Sequence, residues 1–99
     1  MFDEAEMLRI TRKGNGEVVF KISGQLTAEN ITEMEALIAA EGKDRRIVLD
    51  CVDLRSVDGE AVKFLEKCVA DSIKLRNCTG YIREWIRRQR VERQSEKGM

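Results

Sequence analysis

Hydrophobic and polar residues alternate over residues 7–12, and a second, mainly apolar segment follows at residues 18–22. Between them, residues 13–16 read Lys-Gly-Asn-Gly. Gly and Asn tolerate the positive φ angles of tight hairpin turns. The pattern therefore predicts two strands joined by a hairpin.

Apolar residues then recur at helical spacing in three places. Thr27 is the predicted N-cap of the first helix, which we expect to end near Gly42, and Asp58 is the predicted N-cap of the second. A third amphipathic stretch begins at Thr79 and continues into an Arg-rich sequence. The chain is therefore expected to contain three helices.

Between the helices lie two further strand signals. Residues 47–52 form an apolar run that is too short for a helix, which predicts a central strand covered on both faces. Ile73 and Leu75 predict a last, short strand. The predicted order is ββαβαβα, and helices between strands imply crossover connections. We therefore expect an α/β fold in which a four-stranded mixed sheet packs with three helices.

Length and composition restrict the function classes. A chain of 99 residues predicts one domain over residues 1–99, with a basic tail that frays from about residue 92. The chain has no His, which removes the usual general base of nucleophilic hydrolases and so excludes most hydrolase mechanisms. No apolar run approaches the roughly 20 residues that span a bilayer. The sequence therefore predicts a cytoplasmic protein without membrane insertion.

Three cysteines, Cys51, Cys68 and Cys78, occur without CxxC spacing. An odd number of cysteines is typical of reduced thiols in the cytosol. Because free Cys is among the most buried residue types, we expect small core residues rather than metal or redox sites. No cofactor is predicted.

Three acidic residues, Asp50, Asp53 and Asp58, lie near the end of the predicted central strand. Three carboxylates can hold a divalent cation. Their spacing does not match a calcium-binding loop, and Asp is also typical of turns and helix caps. We therefore predict turn formation and capping here and no metal site.

Charge is distributed unevenly although Lys and Arg number 18 and Asp and Glu also number 18. From residue 74 onward there are 8 basic and 3 acidic residues, a balance of +5, and the rest of the chain carries −5. A basic helix can bind nucleic acid or an acidic partner. The spacing of Glu84 and Arg88 favours pairing within a solvated helix instead. Nearby, Trp85 is expected to pack against the sheet and Tyr81 to be exposed.

Three segments together resemble a known family: residues 24–27 (GQLT), 47–50 (IVLD) and 54–62 (LRSVDGEAV). In this order and spacing they resemble the STAS domain, named for sulfate transporters and anti-sigma-factor antagonists. The resemblance covers about residues 7–88, and the family's fold has the ββαβαβα order predicted above. It implies a non-catalytic regulatory module that binds another protein.

In the sigma-regulating branch of that family, the partner is an anti-sigma factor with serine kinase activity. It phosphorylates a Ser or Thr within an Asp-Ser-Ser-Gly or Asp-Ser-Thr-Gly motif, and this blocks binding. Here Asp58 matches the Asp, but Gly59 occupies the phosphoacceptor position, followed by Glu60 and Ala61. Gly59 has no hydroxyl, so that switch is absent from this sequence. Ser56 is the remaining candidate acceptor, although loop Ser residues more often hydrogen-bond the turn backbone.

The resemblance implies a partner-binding surface at the start of the second helix. Glu66 is expected on the same exposed helix face. Besides the anti-sigma-type serine kinase, two alternatives remain open: an accessory subunit on the ATPase of a membrane transporter, and a nucleic-acid-binding protein that uses the Arg-rich helix. The predicted partner-binding residues are Ser56, Val57, Asp58, Gly59, Glu60, Lys63 and Lys67.

Overall fold

The backbone forms four strands and three helices in the predicted order ββαβαβα. The structure is a computed structural model and describes residues 8–42 and 44–97, with side chains at 8–14, 16–42 and 44–91. Met7, the start of the predicted first strand, lies outside the described residues. The elements are β1 (Arg9–Asn15), β2 (Glu17–Leu26), α1 (Ala28–Ala39), β3 (Ile47–Val57), α2 (Gly59–Ala70), β4 (Lys74–Arg76) and α3 (Gly80–Lys97).

The four strands form one mixed sheet in the order β1-β2-β3-β4. β1 and β2 are antiparallel, whereas β3 runs parallel to both β2 and β4. Gly16, with φ 89°, separates β1 from β2 and has the left-handed conformation that favours glycine at a hairpin. The α/β fold class and the mixed sheet are therefore confirmed.

A single hydrophobic core lies between one face of the sheet and the three helices. Alternate residues of β2 point into it, because successive side chains of a strand point to opposite faces. Each helix contributes buried residues to the same cluster. Among the core residues are Val18, Phe20 and Ile22 of β2, Leu49 and Cys51 of β3, Met34 of α1, Val62 and Leu65 of α2, and Ile82 of α3.

The central strand differs from its prediction in two ways. It continues to Val57 rather than ending near residue 52, because Leu54 and Val57 are still buried and the pairing with β2 continues through two register shifts. The prediction that both faces of the strand are covered is wrong for much of its length. On the face away from the core Val48 is buried, but Val52 is 50% exposed, because the helices pack on the opposite face.

The ends of the helices follow local signals in the sequence. The N-caps of α1 and α2 are Thr27 and Asp58, as predicted. α1 ends at Ala39, and Gly42 follows with φ 86°. α3 is helical to Lys97. Fraying of the tail from about residue 92 stays a prediction.

Candidate functional site

The site begins with Asp58, the one residue between β3 and α2. Its Oδ1 accepts a hydrogen bond from the Ala61 backbone N–H, 2.8 Å away, as an N-cap does. Its Oδ2 accepts a second bond from the Ala28 backbone N–H, 2.9 Å away, at the start of α1. One carboxylate therefore caps two helices. The Asp58 backbone N–H also donates to the Leu26 carbonyl oxygen at 3.2 Å, which fixes the junction to the end of β2.

The start of α1 is held by its own short-range contacts beside this junction. Asn30 Oδ1 accepts from the Thr27 backbone N–H at 3.0 Å, and the Asn30 backbone N–H donates to the Thr27 carbonyl oxygen at 2.9 Å. These bonds fix the first turn of α1 and so the position of the Ala28 N–H that donates to Asp58. An open groove of about 680 Å³ lies alongside, lined among others by Leu8, Gln25 and Asp58.

One side of α2 presents a small exposed surface that runs from its first turn to its last. Glu60 and Lys63 form an ion pair of 3.5 Å with side chains 63% and 61% exposed, and Lys67 is also exposed. At Gly59 an added Cβ would meet no atom within 4 Å. We call Gly59, Glu60, Lys63 and Lys67 the α2 surface. The opposite side of the helix is buried in the core.

Three of the residues expected near this surface are placed differently. Glu66 was expected on the exposed face of the helix, but it is only 5% exposed, because neighbouring parts of the molecule pack over it. Val57 is 7% exposed, and its side chain belongs to the core. Ser56 is half-buried and paired with Gln25 in the sheet, so it lies in a strand and not in a loop.

The three acidic residues near the end of the central strand have separate partners. Asp58 caps the two helices, and Asp53 pairs with Lys21 at 3.3 Å. Asp50 accepts from Asn77 Nδ2 at 3.1 Å and lies 3.6 Å from Arg76. Within residues 8–42 and 44–97, no group of His, Cys, Asp and Glu side chains is arranged to hold a metal ion.

The environment of Asp50 shifts its pKa. Burial, the largest influence, raises the pKa of Asp50, but hydrogen bonds from Asn77 and the Val52 N–H and the charge of Arg76 together hold it below its usual value. The carboxylate is therefore ionised at neutral pH and serves to join β3 to the segment after β4.

Comparison with known proteins gives a structural likeness without a sequence match. No protein-family model and no curated protein matches the chain. A crystal structure of an antisigma-factor antagonist STAS domain from Rhodobacter sphaeroides superposes with a TM-score of 0.52. The two are 18% identical, and the match covers 71% of this chain and 86% of that one. The chain has the fold of a STAS domain.

In this STAS fold the basic helix α3 packs on the core through its first turns. Ile82 is fully buried, and Trp85 is partly buried with its ring centroid 5.8 Å from that of Tyr81, which is 61% exposed. The expected packing of Trp85 and exposure of Tyr81 agree with this. Arg88 lies 3.6 Å from Glu84, which is the predicted pairing along the helix. Among the described residues, no helix is long and apolar enough to cross a membrane.

Sequence reasoning missed the second hydrogen bond of Asp58 in this STAS fold. The N-cap role is a local signal, because the Ala61 N–H is three residues away. The Ala28 N–H is thirty residues away and reaches Asp58 only because β2 and β3 are parallel and end side by side. No pattern in one sequence marks such a contact. A prediction of the parallel pairing of β2 with β3 would have been the only route to it.

Proposed function

We propose that the chain is a non-catalytic regulatory module that binds a partner protein through the α2 surface. The observation that carries this proposal is the fixed mounting of that surface. Asp58 ties the start of α2 to both β2 and α1, so the exposed side chains of Glu60 and Lys63 sit on a rigid support. A surface that is ordered before binding loses less conformational entropy when the partner arrives.

The proposed partner class follows from the STAS resemblance. The matching solved domain is described as an antisigma-factor antagonist, and we propose the same type of role here, in the cytoplasm, with an anti-sigma-type serine kinase as partner. Because Gly59 carries no hydroxyl, the interaction would not be switched off by phosphorylation at that position. Glu60 instead places a permanent negative charge at the positive end of α2, where a phosphate group would otherwise lie.

An accessory subunit on a transporter ATPase is the second candidate, favoured by the same Gly59. Such a subunit needs a permanent contact surface and no phosphoacceptor. Both candidates use the α2 surface, and they differ only in the partner.

Cross-linking in the cells of origin tests the proposal. An amine-reactive cross-linker followed by mass spectrometry should join the partner to Lys63 or Lys67. Lys13, Lys21 and Lys74 are also exposed and lie on other elements, so they serve as internal controls. A serine kinase at Lys63 or Lys67 supports the antagonist, and a transporter ATPase there supports the second candidate. Cross-links confined to the control lysines would contradict the proposed surface.

The missing hydroxyl can be tested on the same partner. In Gly59→Ser the new side chain has space, since no atom lies within 4 Å of the position of its Cβ. If the partner is a serine kinase, ATP should phosphorylate this variant and weaken its binding, while wild-type binding stays independent of ATP. Unchanged binding of the phosphorylated variant would contradict a phosphate-sensitive surface.

A further inference from the structure

Two of the three cysteines, Cys51 and Cys78, lie near each other where the segment after β4 packs against the core beside β3. Cys51 is fully buried in β3. Cys78 lies in the connection between β4 and α3, half-buried and packed against the core cluster that contains Cys51. All three thiols are free.

The backbone around the two cysteines holds them together. Asp50, next to Cys51, is the register partner of Arg76 in the parallel pairing of β3 and β4. Asn77, next to Cys78, donates from Nδ2 to Asp50 Oδ1 at 3.1 Å. Asn77 also has φ 61°, a left-handed conformation that turns the chain out of β4. These contacts fix the connection along β3 at the level of Cys51.

The surroundings of the two thiols shift their pKa values in opposite directions. A hydrogen bond with Cys78 and burial both raise the pKa of Cys51 far above its ordinary value. The hydrogen bond from Cys51, the largest influence, and the charge of Arg83 lower the pKa of Cys78, although burial opposes them. The other acceptor near Cys51 Sγ is the Leu49 carbonyl oxygen at 3.9 Å, too distant for a strong bond. Of the two thiols, half-buried Cys78 therefore ionises more readily than buried Cys51.

Cys68 provides a contrast within the same molecule. It is buried on α2, and burial raises its pKa to about 12. A thiol reacts as its thiolate, and a buried thiol with a raised pKa is inert. Cys78 differs from Cys68 in being only half-buried and in having a pKa that the neighbouring thiol lowers.

We propose that Cys78 and Cys51 form a two-thiol site that a hydroperoxide oxidises to a disulfide. This assigns chemistry to residues that the sequence predicted to be inert core positions. Cys78 is the residue that meets the oxidant, and Cys51 is the resolving residue, the usual arrangement of redox-sensitive thiols. The inference does not rest on the proposed partner.

The two steps balance as follows for hydrogen peroxide. The Cys78 thiolate attacks one peroxide oxygen, so that an S–O bond forms, the O–O bond breaks, and the hydroxide that leaves takes up the proton that Cys78 released to the solvent on ionising and becomes water. The Cys51 sulfur then attacks the Cys78 sulfenic acid, so that the S–S bond forms, the S–O bond breaks, and the hydroxyl leaves as water with the Cys51 proton. Two thiols and one peroxide give one disulfide and two waters.

Mass spectrometry of the purified protein treated with equimolar hydrogen peroxide tests the proposal. We expect a loss of two hydrogens and a tryptic cross-link between the peptides that contain Cys51 and Cys78, with Cys68 alkylated by iodoacetamide once the oxidised protein is denatured. In Cys78→Ser the peroxide reaction should slow by about tenfold or more, because only buried thiols remain. Cys68→Ser is the matched control and should react as the wild type does.

A variant of the resolving residue separates the two roles. In Cys51→Ala, Cys78 should stop at the sulfenic acid and be trapped by dimedone. If Cys51→Ala fails to fold, the rate at which Cys78→Ser reacts with peroxide still tests the proposal. Cys78 is only half-buried, so we expect that variant to fold. Oxidation of Cys68 as fast as that of Cys78, wild-type rates in Cys78→Ser, or disulfides only between molecules at high dilution would each overturn the proposal.

Discussion

At the scale of single residues, Asp58 contributes most to the geometry of the candidate site. Its two carboxylate oxygens satisfy one backbone N–H at the start of α1 and one at the start of α2. The first N–H groups of a helix have no partner within the helix. A negative charge at this junction also interacts favourably with the positive ends of both helices. Asp58 is therefore better understood as the support of the α2 surface than as a contact residue on it.

Replacing Asp58 should destabilise the protein more than an ordinary N-cap substitution does. Asp58→Ala removes both hydrogen bonds, and since each cap is worth about 1 kcal/mol, we expect a loss of about 2 kcal/mol in the free energy of unfolding. Asp58→Asn retains one oxygen acceptor and should lose about half as much. Urea denaturation measures both. A loss of about 1 kcal/mol in Asp58→Ala with none in Asp58→Asn would show that only one of the two bonds matters.

The ionised side chains at the edges of the fold predict how stability depends on pH. Arg12 donates from Nε and Nη2 to Glu41 at 2.7 and 2.8 Å, and this hydrogen bonding lowers the pKa of Glu41. The pKa of Asp50 is also lowered. A carboxyl with a lowered pKa in the folded state stabilises the protein above its unfolded pKa, and this stabilisation is lost as pH falls through the folded value.

We therefore expect the melting temperature to fall as pH drops below about 4.3, the ordinary pKa of Glu. In the double variant Glu41→Gln/Asp50→Asn the melting temperature should depend less on pH over this range. Glu17→Gln, which removes an exposed carboxylate at the hairpin, is the control. Thermal melts between pH 6 and 2.5 measure the difference. The same pH dependence in the double variant and the control would refute the assigned ion pairs.

At the scale of elements, the sequence predicts the helices better than the central strand. Thr27 and Asp58 are local cap signals, so the starts of α1 and α2 can be predicted from a few neighbouring residues. The end of β3 cannot be predicted in this way, because Asp53 and Arg55 interrupt the apolar run in a manner typical of a turn. The strand continues because the neighbouring strand β2 supplies partners as far as Val57. The end of β3 is thus set by pairing between distant segments, which a local sequence pattern does not contain.

Glycines at the ends of helices give opposite predictions. Gly59 is the first residue of α2 and has space for a Cβ, so Gly59→Ala should stabilise the protein by about 0.5 kcal/mol by restricting the unfolded chain. Gly42 has equal space but a φ of 86°, and Gly42→Ala should therefore destabilise the protein by about 1 kcal/mol. Urea denaturation compares the two. Destabilisation by Gly59→Ala would mean that the backbone there needs glycine.

At the scale of the whole molecule, alternation of strand and helix signals was enough to predict the ββαβαβα order and the mixed sheet. The site could be predicted only in part. The helical pattern of α2 predicted that Lys63 and Lys67 are exposed, but it also placed Glu66 on that face, and the structure buries it. Burial of a charged side chain depends on what packs over it, which the period of one helix does not contain. The contact between Cys51 and Cys78 depends on β4 lying beside β3 and was missed for the same reason.

The central claim is that the α2 surface binds the partner, and a pair of charge-reversed variants tests it most directly. Glu60→Lys/Lys63→Glu reverses an exposed ion pair on α2, and Glu84→Lys/Arg88→Glu does the same on α3. Both variants keep the net charge. The measurement is the affinity of each for the partner identified by cross-linking. We predict that the α2 variant loses about tenfold or more, equal to about 1.4 kcal/mol, and that the α3 variant binds as the wild type does. Equal affinity of the α2 variant and the wild type, or a loss confined to the α3 variant, would contradict the account.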